Sequence, residues 1–485
     1  MWLNYRIVLK ILSLLWLING LLMLFPTLYS IYHGDEAMMA FLYSTAANLT
    51  IGGSLFFVFK SASGKDLKKR EGFVVVTLGW LALSFTGSLP YVIGGAIPEF
   101  ANAFFETMSG YTTTGATILD DIESLPNSIL LWRSITQWIG GMGMIVLAIA
   151  ILPILGFGSM RLFSAEAPGI SPDKITPRIA DTAKRLWLLY VLLTVLECIL
   201  LKFAGMGLFD AVNHSLTTIS TAGFSTKQAS IGHFDSAAIQ YIITFFMIIG
   251  GTSFILVYTA ATGRVKNIFK NEEWRFYAAI LSSFTVFVGL SLFIFHDTSA
   301  ELAFRKALFQ VVSIVTTTGY TTADYSLWGH TNLMIIFMLM FVGGSAGSTS
   351  GGVKVIRHLI LVKNSFTELR RQMHTNAVIP VRLNGKALSS NVTATVLAFI
   401  MIYVLVFVVA SIFLSATGLN FETAIGAVAA CLGNVGPGIA DVGPSNSYSG
   451  LSSIAKWALC FLMLLGRLEL FTIMVLFTPY FWVKR

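Results

Sequence analysis

Long apolar stretches separated by short polar loops dominate the sequence. A helix needs about 20 apolar residues to cross a hydrocarbon core of roughly 30 Å, and ten stretches are long enough. The predicted spanning helices are residues 6–31, 37–59, 72–94, 128–155, 183–204, 238–262, 276–297, 331–361, 391–417 and 452–481. This pattern predicts an all-α integral membrane protein.

Four further apolar stretches are too short to cross a bilayer. They are residues 100–112, 207–220, 303–316 and 421–433, and each lies between two predicted spanning helices. Segments of this length are core or re-entrant elements. Non-helical backbone at membrane depth is tolerated where protein buries it or where it lines a water-filled cavity. We therefore predict two N-terminal helices plus four pseudo-repeats of helix, pore helix with loop, and helix around one pore.

The predicted boundaries of these units follow the alternation of long and short stretches. Residues 1–70 hold the two N-terminal transmembrane helices. The four repeats are residues 71–160, 161–265, 266–365 and 366–485.

Basic residues concentrate in alternate loops. One set of loops holds Lys60, Lys65, Lys68, Lys69, Arg70, Arg178, Lys184, Arg185, Arg264, Lys266, Lys270, Lys363, Arg370, Arg371, Lys484 and Arg485. The other set (32–36, 95–127, 205–236, 298–330 and 418–451) holds only Lys227, Arg305 and Lys306. Basic loops remain in the cytoplasm, so both termini are predicted to be cytoplasmic. The net charge of +8 is thus explained by topology and does not indicate nucleic-acid binding.

Composition excludes several other classes of protein. Hydrophobic residues make up 55% of the chain and charged residues only 12%, about half the charged share of a soluble domain. The first apolar run is longer than the roughly 7–15 residues of a signal-peptide core, so we expect it to remain as a spanning helix. The three cysteines, all in or beside apolar runs, predict neither a disulfide framework nor a metal site. The chain also lacks the common hydrolase, metalloprotease and nucleotide-binding motifs, so we expect no enzyme.

Each short apolar stretch ends in a sequence centred on glycine. The four glycines lie about 100 residues apart, and a repeat of that period is the main organising feature of the chain. The candidate filter residues are Thr113, Thr114 and Gly115; Thr221, Ala222 and Gly223; Thr317, Thr318 and Gly319; and Asn434, Val435 and Gly436. The fourth set lacks hydroxyl residues, so we expect it to be bonded differently.

These sequences suit the chemistry of a potassium ion. A dehydrated ion needs its lost water replaced by neutral oxygens, which backbone carbonyls supply when they converge on one axis. That geometry requires positive φ, which glycine adopts cheaply. The negative C-terminal end of each short helix would also favour a cation. We therefore predict K⁺ bound in the filter and no organic cofactor.

The sequence resembles the Trk/Ktr/HKT superfamily of potassium transporters, and specifically the bacterial Trk-type membrane subunit. The resemblance covers essentially the whole chain. It is carried by the four glycine sequences, Trp132-Arg133-Ser134, Gln137-Trp138-Ile139-Gly140-Gly141, the glycine-rich segment 343–352 and Gly466-Arg467.

The resemblance implies a filter centred on Gly115, Gly223, Gly319 and Gly436. Glycine at all four places is the family pattern linked with potassium preference, and a serine at the first is linked with sodium in some plant members. The resemblance also implies a homodimer with one pore per chain, a cytosolic nucleotide-binding regulatory subunit and a place in the bacterial inner membrane.

Two features below the predicted filter are gate candidates. Five glycines and four hydroxyl residues in segment 343–352 should break the eighth span, because each glycine costs roughly 1 kcal/mol against alanine in a helix. The resemblance implies that this loop hinders flow until it moves; its alternative is close helix packing by small residues. The candidate gate residues are Gly343, Gly344, Ser345, Gly347, Ser348, Gly351, Gly352, Lys354 and Arg467.

Arg467 lies inside the tenth predicted span. A charge within the membrane is a functional-site hypothesis by default, here a fixed cation that brakes flow beneath the filter. The alternative is a structural ion pair with another helix.

Other polar residues receive simpler interpretations. Trp132 and Arg133 are expected to anchor the fourth span at the membrane interface. Gly140 and Gly141 are expected to allow close packing. Glu106, on the first pore helix, either attracts cations or holds structure.

Together these patterns predict a gated potassium pathway used for uptake. The alternative is an H⁺- or Na⁺-coupled potassium symporter, which would need ionisable residues within the spans. Intramembrane acids are few, chiefly Glu197 and Glu469.

Overall fold

A computed structural model describes residues 3–62, 69–143, 179–296, 298–374 and 376–482. The regular secondary structure of these residues is helical except for one short hairpin. Within them, six helices are long and apolar enough to cross a membrane, or eight if each of two bent pairs counts as one span. The fold class predicted from the sequence is confirmed.

The chain begins with two long helices, α1 (Tyr5–His33) and α2 (Met38–Phe59). They pack against each other along their length and form a hairpin. Gly34 ends α1 with a φ of 65°, and its N–H bonds back to Ser30 O at 2.8 Å. This is a left-handed helix cap, which turns the chain sharply into α2.

The first repeat contains four helices. They are α3 (Lys69–Gly87), α4 (Leu89–Ile93), α5 (Phe100–Tyr111) and α6 (Asn127–Trp138). A π-helical turn, Ile139–Gly143, follows α6. The rest of the predicted fourth span, and the basic loop after it as far as residue 178, lie outside the described residues.

The second repeat consists of α7 (Ile179–Phe203), α8 (Leu208–Ile219), α9 (Ala237–Gly250) and α10 (Phe254–Ala261). The third consists of α11 (Lys266–Lys270), α12 (Glu272–Phe295), α13 (Ala300–Val315), α14 (Gly329–Leu339) and α15 (Val355–Met373).

A hairpin of β1 (Arg382–Leu383) and β2 (Lys386–Ala387) connects the third repeat to the fourth. The fourth repeat consists of α16 (Ser390–Ala416), α17 (Phe421–Leu432), α18 (Ser453–Arg467), α19 (Phe471–Met474) and α20 (Pro479–Trp482). Short 3₁₀ turns lie at Ser230–His233, Tyr325–Leu327, Ala440–Val442 and Val475–Phe477.

Each repeat thus has a long first helix, a short helix and a second helix, in the predicted order. The short helices are α5, α8, α13 and α17. The exact residue bounds assigned to the repeats stay a prediction.

Two of the second helices differ from the prediction of continuous spans, whereas the eighth predicted span is interrupted around segment 343–352, where the sequence predicts a break. The predicted spans 238–262 and 452–481 are each bent by 109°, after α9 and after α18. The predicted span 331–361 is interrupted from the end of α14 at Leu339 to the start of α15 at Val355, which is wider than segment 343–352. Hydropathy could not reveal the bends, because the residues on both sides of each one remain largely apolar.

A buried amide joins the N-terminal hairpin to the first repeat. The Nδ2 atom of Asn19 donates to Asn48 Oδ1 at 3.2 Å and to Thr86 Oγ1 at 3.1 Å. Its Oδ1 accepts from the Tyr111 hydroxyl at 2.6 Å. Tyr111 is the last residue of α5, so one side chain connects α1, α2, α3 and the first short helix.

We expect Asn19→Ala to lower the melting temperature of the detergent-solubilised protein by several degrees. The replacement removes the buried partner of the Tyr111 hydroxyl and the Asn19 donor to Asn48 Oδ1, at about 1–3 kcal/mol for each such group. Thr50→Ala serves as the control, because Thr50 is exposed and bonds only to its own helix, at Ala46 O. Equal melting of the two variants would contradict the expectation.

Candidate ion pathway

The four short helices end in the same pattern of hydrogen bonds. In the first repeat, the Thr113 N–H donates to Gly110 O at 3.0 Å and the Thr114 N–H donates to Ser109 O at 2.9 Å. This pair of bonds is a Schellman cap, in which the residue after the helix adopts the left-handed conformation. The corresponding residues are Thr113, Thr221, Thr317 and Asn434, with φ of 54°, 51°, 57° and 52°.

Positive φ at these positions is unusual, because three of the four residues are β-branched threonines. A non-glycine residue held in this region costs on the order of 1–3 kcal/mol and persists only where its surroundings enforce it. All four residues are fully buried. The surroundings therefore hold the four chain reversals in place.

Two residues later each segment reaches its glycine. Gly115, Gly223, Gly319 and Gly436 have φ of 81°, 79°, 80° and 105°. In each segment, residues of positive φ stand on both sides of one residue of negative φ. Alternation of this kind can turn successive peptide groups toward the same side of the chain.

Each glycine lies against the backbone of another segment. A β-carbon built on Gly115 would lie 2.3 Å from the carbonyl oxygen of Ala222. The same construction gives 1.9 Å from Gly223 to Thr318 O, 2.1 Å from Gly319 to Val435 O, and 2.7 Å from Gly436 to Thr114 O. The contacts run from the first segment to the second, third and fourth and back to the first. The four segments therefore form a closed ring, and no side chain fits at any of its glycines.

All twelve residues that the sequence predicts as a filter belong to the four segments of this ring. A cavity opens where the chain leaves the ring, and its lining includes all four glycines, Thr117 and Lys227. The arrangement offers neutral backbone oxygens at close spacing, which suits a partly dehydrated cation. The fourth segment is bonded through its side chain: Asn434 Nδ2 donates to Thr114 Oγ1 at 3.0 Å and to Met463 O at 2.9 Å.

The glycine-rich loop lies directly against the ring. The Gly351 N–H donates to Thr317 Oγ1 at 2.7 Å, and the Thr221 hydroxyl lies 3.2 Å from Thr349 Oγ1. Ser345 and Thr349 are buried. The loop thus contacts two of the left-handed threonines that begin the ring segments.

Further backbone bonds fix the remaining gate candidates. The Gly343 N–H donates to Val353 O at 2.9 Å, and Gly344 N–H to Ser350 Oγ at 3.0 Å. The Ser345 N–H donates to Gly251 O at 2.8 Å, and Phe254 N–H donates to Gly347 O at 3.0 Å. The Ser348 hydroxyl donates to Ser345 O at 2.6 Å, and Lys354 Nζ donates to Ser350 O. Gly352 adopts the left-handed conformation, with a φ of 66°.

Arg467 holds the loop against the first repeat. Its Nη1 donates to Thr349 O at 2.9 Å, and its Nη2 donates to the carbonyl oxygens of Gly140 and Gly141. A second arginine nearby, Arg357 on α15, forms an ion pair with Glu469. Arg467 is therefore a link between three backbone carbonyls on two parts of the chain.

Arg467 stands at the position that the second glycine of a glycine pair occupies in the other three repeats. The second helices of the first three repeats change direction or winding at the glycine pairs Gly140–Gly141, Gly250–Gly251 and Gly343–Gly344, and the fourth does so at Gly466–Arg467. This recurrence is the sequence signal for the bends, in addition to the close packing that Gly140 and Gly141 predict.

A buried ion pair supports the ring from behind. Arg133 Nε and Nη2 each lie 2.9 Å from Glu106 Oε1, and Glu106 Oε2 accepts from the Ile118 N–H at 3.0 Å. The side chains of Arg133 and Glu106 are 1% and 0% exposed. Interfacial anchoring by Arg133 is therefore wrong, because the guanidinium lies inside the protein. Glu106 is either an attractor of cations or a residue that stabilises the fold, and its buried bonds to Arg133 and Ile118 favour the second role.

The equivalent positions on the second and third short helices also carry polar side chains that bond the segment after the glycine. His214 and Gln310 stand nine residues before their glycines, as Glu106 does. His214 Nε2 lies 2.9 Å from Ser225 Oγ, and Gln310 Nε2 donates to Tyr320 O at 3.4 Å. Aligning the repeats on their glycines would have found these three side chains.

Comparison with known proteins agrees with this geometry. The family model TrkH, described as a cation transport protein, matches residues 37–482. The chain belongs to this family.

Relatives match over nearly their full length. The chain is 43% identical over 485 residues to the Trk system potassium uptake protein TrkH of Escherichia coli K12, covering 99% of each chain. It is 42% identical to the protein of the same name from Halomonas elongata, covering 99% of this chain and 100% of the other. The crystal structure of the potassium transporter TrkH from Vibrio parahaemolyticus is similar with a TM-score of 0.88 and 40% identity, over 99% of this chain and 100% of that one.

We expect Glu106→Gln to lower the melting temperature strongly, because it leaves Arg133 as an unpaired buried charge. Breaking a buried pair by removing one partner costs about 3–5 kcal/mol. The double replacement Glu106→Gln with Arg133→Met should recover much of that loss. The exposed pair Lys227–Glu123 provides the comparison, since Glu123→Gln should cost less than about 1 kcal/mol. Similar melting of Glu106→Gln and Glu123→Gln would contradict the assignment.

Proposed function

We propose that this multi-pass membrane protein takes up potassium ions through a gated pore whose filter is the ring of four glycine segments. The observation that carries the proposal is the closed series of contacts from each glycine to the carbonyl of the next segment. Such a ring supplies neutral oxygens from four directions, which is what a dehydrated potassium ion requires. The names of the relatives, which are potassium uptake proteins, support the choice of ion.

The ring lacks fixed charge, which favours release of the ion as well as its binding. Its twelve residues are threonine, glycine, alanine, asparagine and valine. K⁺ would be held in the filter as cargo.

The gate in this proposal is the glycine-rich loop together with Arg467 and Lys354. The loop lies against the ring through Thr317 and Thr221, and Arg467 holds its Thr349 carbonyl. Flow would require the loop to move away from the ring. Close packing of small residues alone would not need the charged link from Arg467.

Several further features of the proposal follow from the charge pattern and the family. Both termini would face the cytoplasm of a bacterium, with the chain in the inner membrane. The protein would form a homodimer with one pore per chain. A cytosolic nucleotide-binding subunit would regulate it by docking on the basic cytoplasmic segments, one of which includes Arg370 and Arg371 in the last turn of α15.

Flux measurements separate this pore from the coupled alternative, an H⁺- or Na⁺-driven symporter. Glu469, one of the few candidate intramembrane acids, is paired with Arg357, which argues against its use as a free proton carrier. Potassium flux into liposomes should follow the potassium gradient and the membrane potential. A flux that requires an imposed proton or sodium gradient would support the symporter.

We expect Gly115→Ser to reduce the preference for potassium over sodium about tenfold or more. The new β-carbon would displace the Ala222 carbonyl, which it would approach to 2.3 Å, and a small shift of a coordinating oxygen alters ion discrimination. The measurement is potassium and sodium flux in liposomes that contain the purified protein.

The matched control for this experiment is Gly418→Ser. Gly418 also has positive φ, at 99°, but nothing lies within 4 Å of the built β-carbon. It therefore reproduces the backbone strain without the collision. An unchanged ratio in Gly115→Ser, or an equal change in Gly418→Ser, would count against the filter.

We expect Arg467→Gln to raise potassium flux in the absence of any regulator, by about tenfold, because it removes charged hydrogen bonds worth about 1.5–3 kcal/mol each. Arg467→Lys separates two explanations of the brake. Lysine keeps the charge but lacks the planar fork that can reach several carbonyls at once. If the link matters, Arg467→Lys should conduct like Arg467→Gln; if charge alone matters, it should conduct like the wild type. Wild-type flux in both variants would exclude Arg467 from the gate.

A further inference from the structure

The four ring segments are not held in the same way. In the first segment the hydroxyls of Thr112 and Thr114 lie 2.7 Å apart, and in the third those of Thr316 and Thr318 lie 2.8 Å apart. These hydroxyl bridges join the residue that follows the short helix to the residue before the glycine. The first and third segments are therefore braced from within.

The second and fourth segments cannot form this bridge. The two positions are Ser220 and Ala222 in the second segment, and Gly433 and Val435 in the fourth. The fourth is held instead by the Asn434 amide and by the Tyr448 hydroxyl, which donates to Gly436 O at 2.9 Å. The fourth segment is thus braced by its own Asn434 amide and by one side chain from outside, Tyr448.

For the second segment, the outside brace is Gln137 on α6. Its Nε2 donates to Ala222 O at 2.7 Å, and its Oε1 accepts from the Phe224 N–H at 2.9 Å. The two bonds lie on either side of Gly223. They fix the orientation of the amide, because Ala222 presents an acceptor and Phe224 a donor.

Arg133, one helical turn before Gln137, extends the brace. Its Nη1 donates to Ser225 O at 3.1 Å, and its guanidinium carbon lies 4.1 Å from the centre of the Phe224 ring. Both Gln137 and Arg133 are buried at 0% and 1% exposure. Helix α6 of the first repeat therefore binds the ring segment of the second along residues 222–225.

The brace has no counterpart in the sequences of the other repeats. Gln137 stands three residues before the first glycine of the break, Gly140. The same positions before Gly250, Gly343 and Gly466 hold Met247, Met340 and Met463. The amide thus occurs in the repeat whose second helix contacts the second segment, which is one of the two that lack a bridge.

We propose that Gln137 is a positioning residue for ion selectivity, which acts by orienting the Ala222 carbonyl beside Gly115. This inference rests on the proposed function of the ring as a potassium filter. Ala222 O belongs to the series of carbonyls that close the ring, so loss of its donor would free that oxygen to turn. A carbonyl that can turn adapts to a smaller ion, and discrimination falls.

The test measures potassium and sodium flux in liposomes for the wild type, for Gln137→Met and for Gln137→Met combined with Ser220→Thr and Ala222→Thr. Methionine is the residue that the other repeats carry at this position. We expect the potassium-to-sodium flux ratio to fall about three- to tenfold in Gln137→Met, the scale of one or two net hydrogen bonds. The two added threonines, which recreate the internal bridge of the first and third segments, should restore most of the ratio.

Gln240→Met is the matched control. Gln240 is a buried glutamine on α9 that donates to a backbone carbonyl, Phe234 O, at 3.2 Å, but it does not touch the ring. It should lower the melting temperature as Gln137→Met does and leave the flux ratio unchanged. If Gln137→Met does not fold, Gln137→Asn takes its place, because its shorter side chain keeps an amide but cannot reach both backbone groups.

The outcomes separate the inference from the proposed function. A wild type that does not discriminate between the two ions overturns the filter and the inference with it. A discriminating wild type with an unchanged ratio in Gln137→Met overturns the inference alone. A threonine variant that folds but leaves the ratio low overturns the compensation between inner and outer braces. A lowered ratio that the threonines restore supports the inference.

Discussion

The contact between a glycine and the carbonyl of the neighbouring segment is the constraint on which the rest of the structure depends. Four backbones can approach so closely only without side chains, so glycine is required at Gly115, Gly223, Gly319 and Gly436. The segments must also arrive at the same depth. Identical Schellman caps achieve this, and three of them hold a threonine in a conformation that costs on the order of 1–3 kcal/mol. The surrounding helices must supply enough interactions to offset that strain.

A single chain can hold each segment differently, which four identical subunits could not. Threonine pairs brace two segments internally. Gln137 and Arg133 brace the second, and Asn434 and Tyr448 brace the fourth. The N-terminal hairpin takes part as well, because Asn19 bonds the residue that ends α5. Buried polar groups of this kind are costly unless every partner is present, so the ring and its supports form one interdependent network.

The sequence was sufficient for the features that depend on local composition. Apolar length predicted the long helices, and the four glycine segments predicted the ring, because both are visible as residue types at fixed spacing. It was insufficient for features that depend on which side chains meet. Glu106 and Arg133 lie 27 residues apart, and nothing in either local pattern says that they pair. The bends after α9 and α18 were hidden because apolar residues continue through them, although the recurring glycine pairs marked their positions.

The broken helices explain why an arginine can be accommodated beneath the ring. A helix that stops or changes winding leaves carbonyl groups without their usual donors. Gly140 and Gly141 lie in the π-helical turn after α6, and Thr349 lies in the glycine-rich loop. Arg467 donates hydrogen bonds to the carbonyl oxygens of all three residues. The guanidinium therefore has buried acceptors, and the three carbonyls have a donor. The same loop gives its Gly351 N–H to Thr317, a residue at the base of the ring. Displacement of the loop must therefore break bonds to the ring and to Arg467 together, which couples the position of the loop to the geometry of the ring.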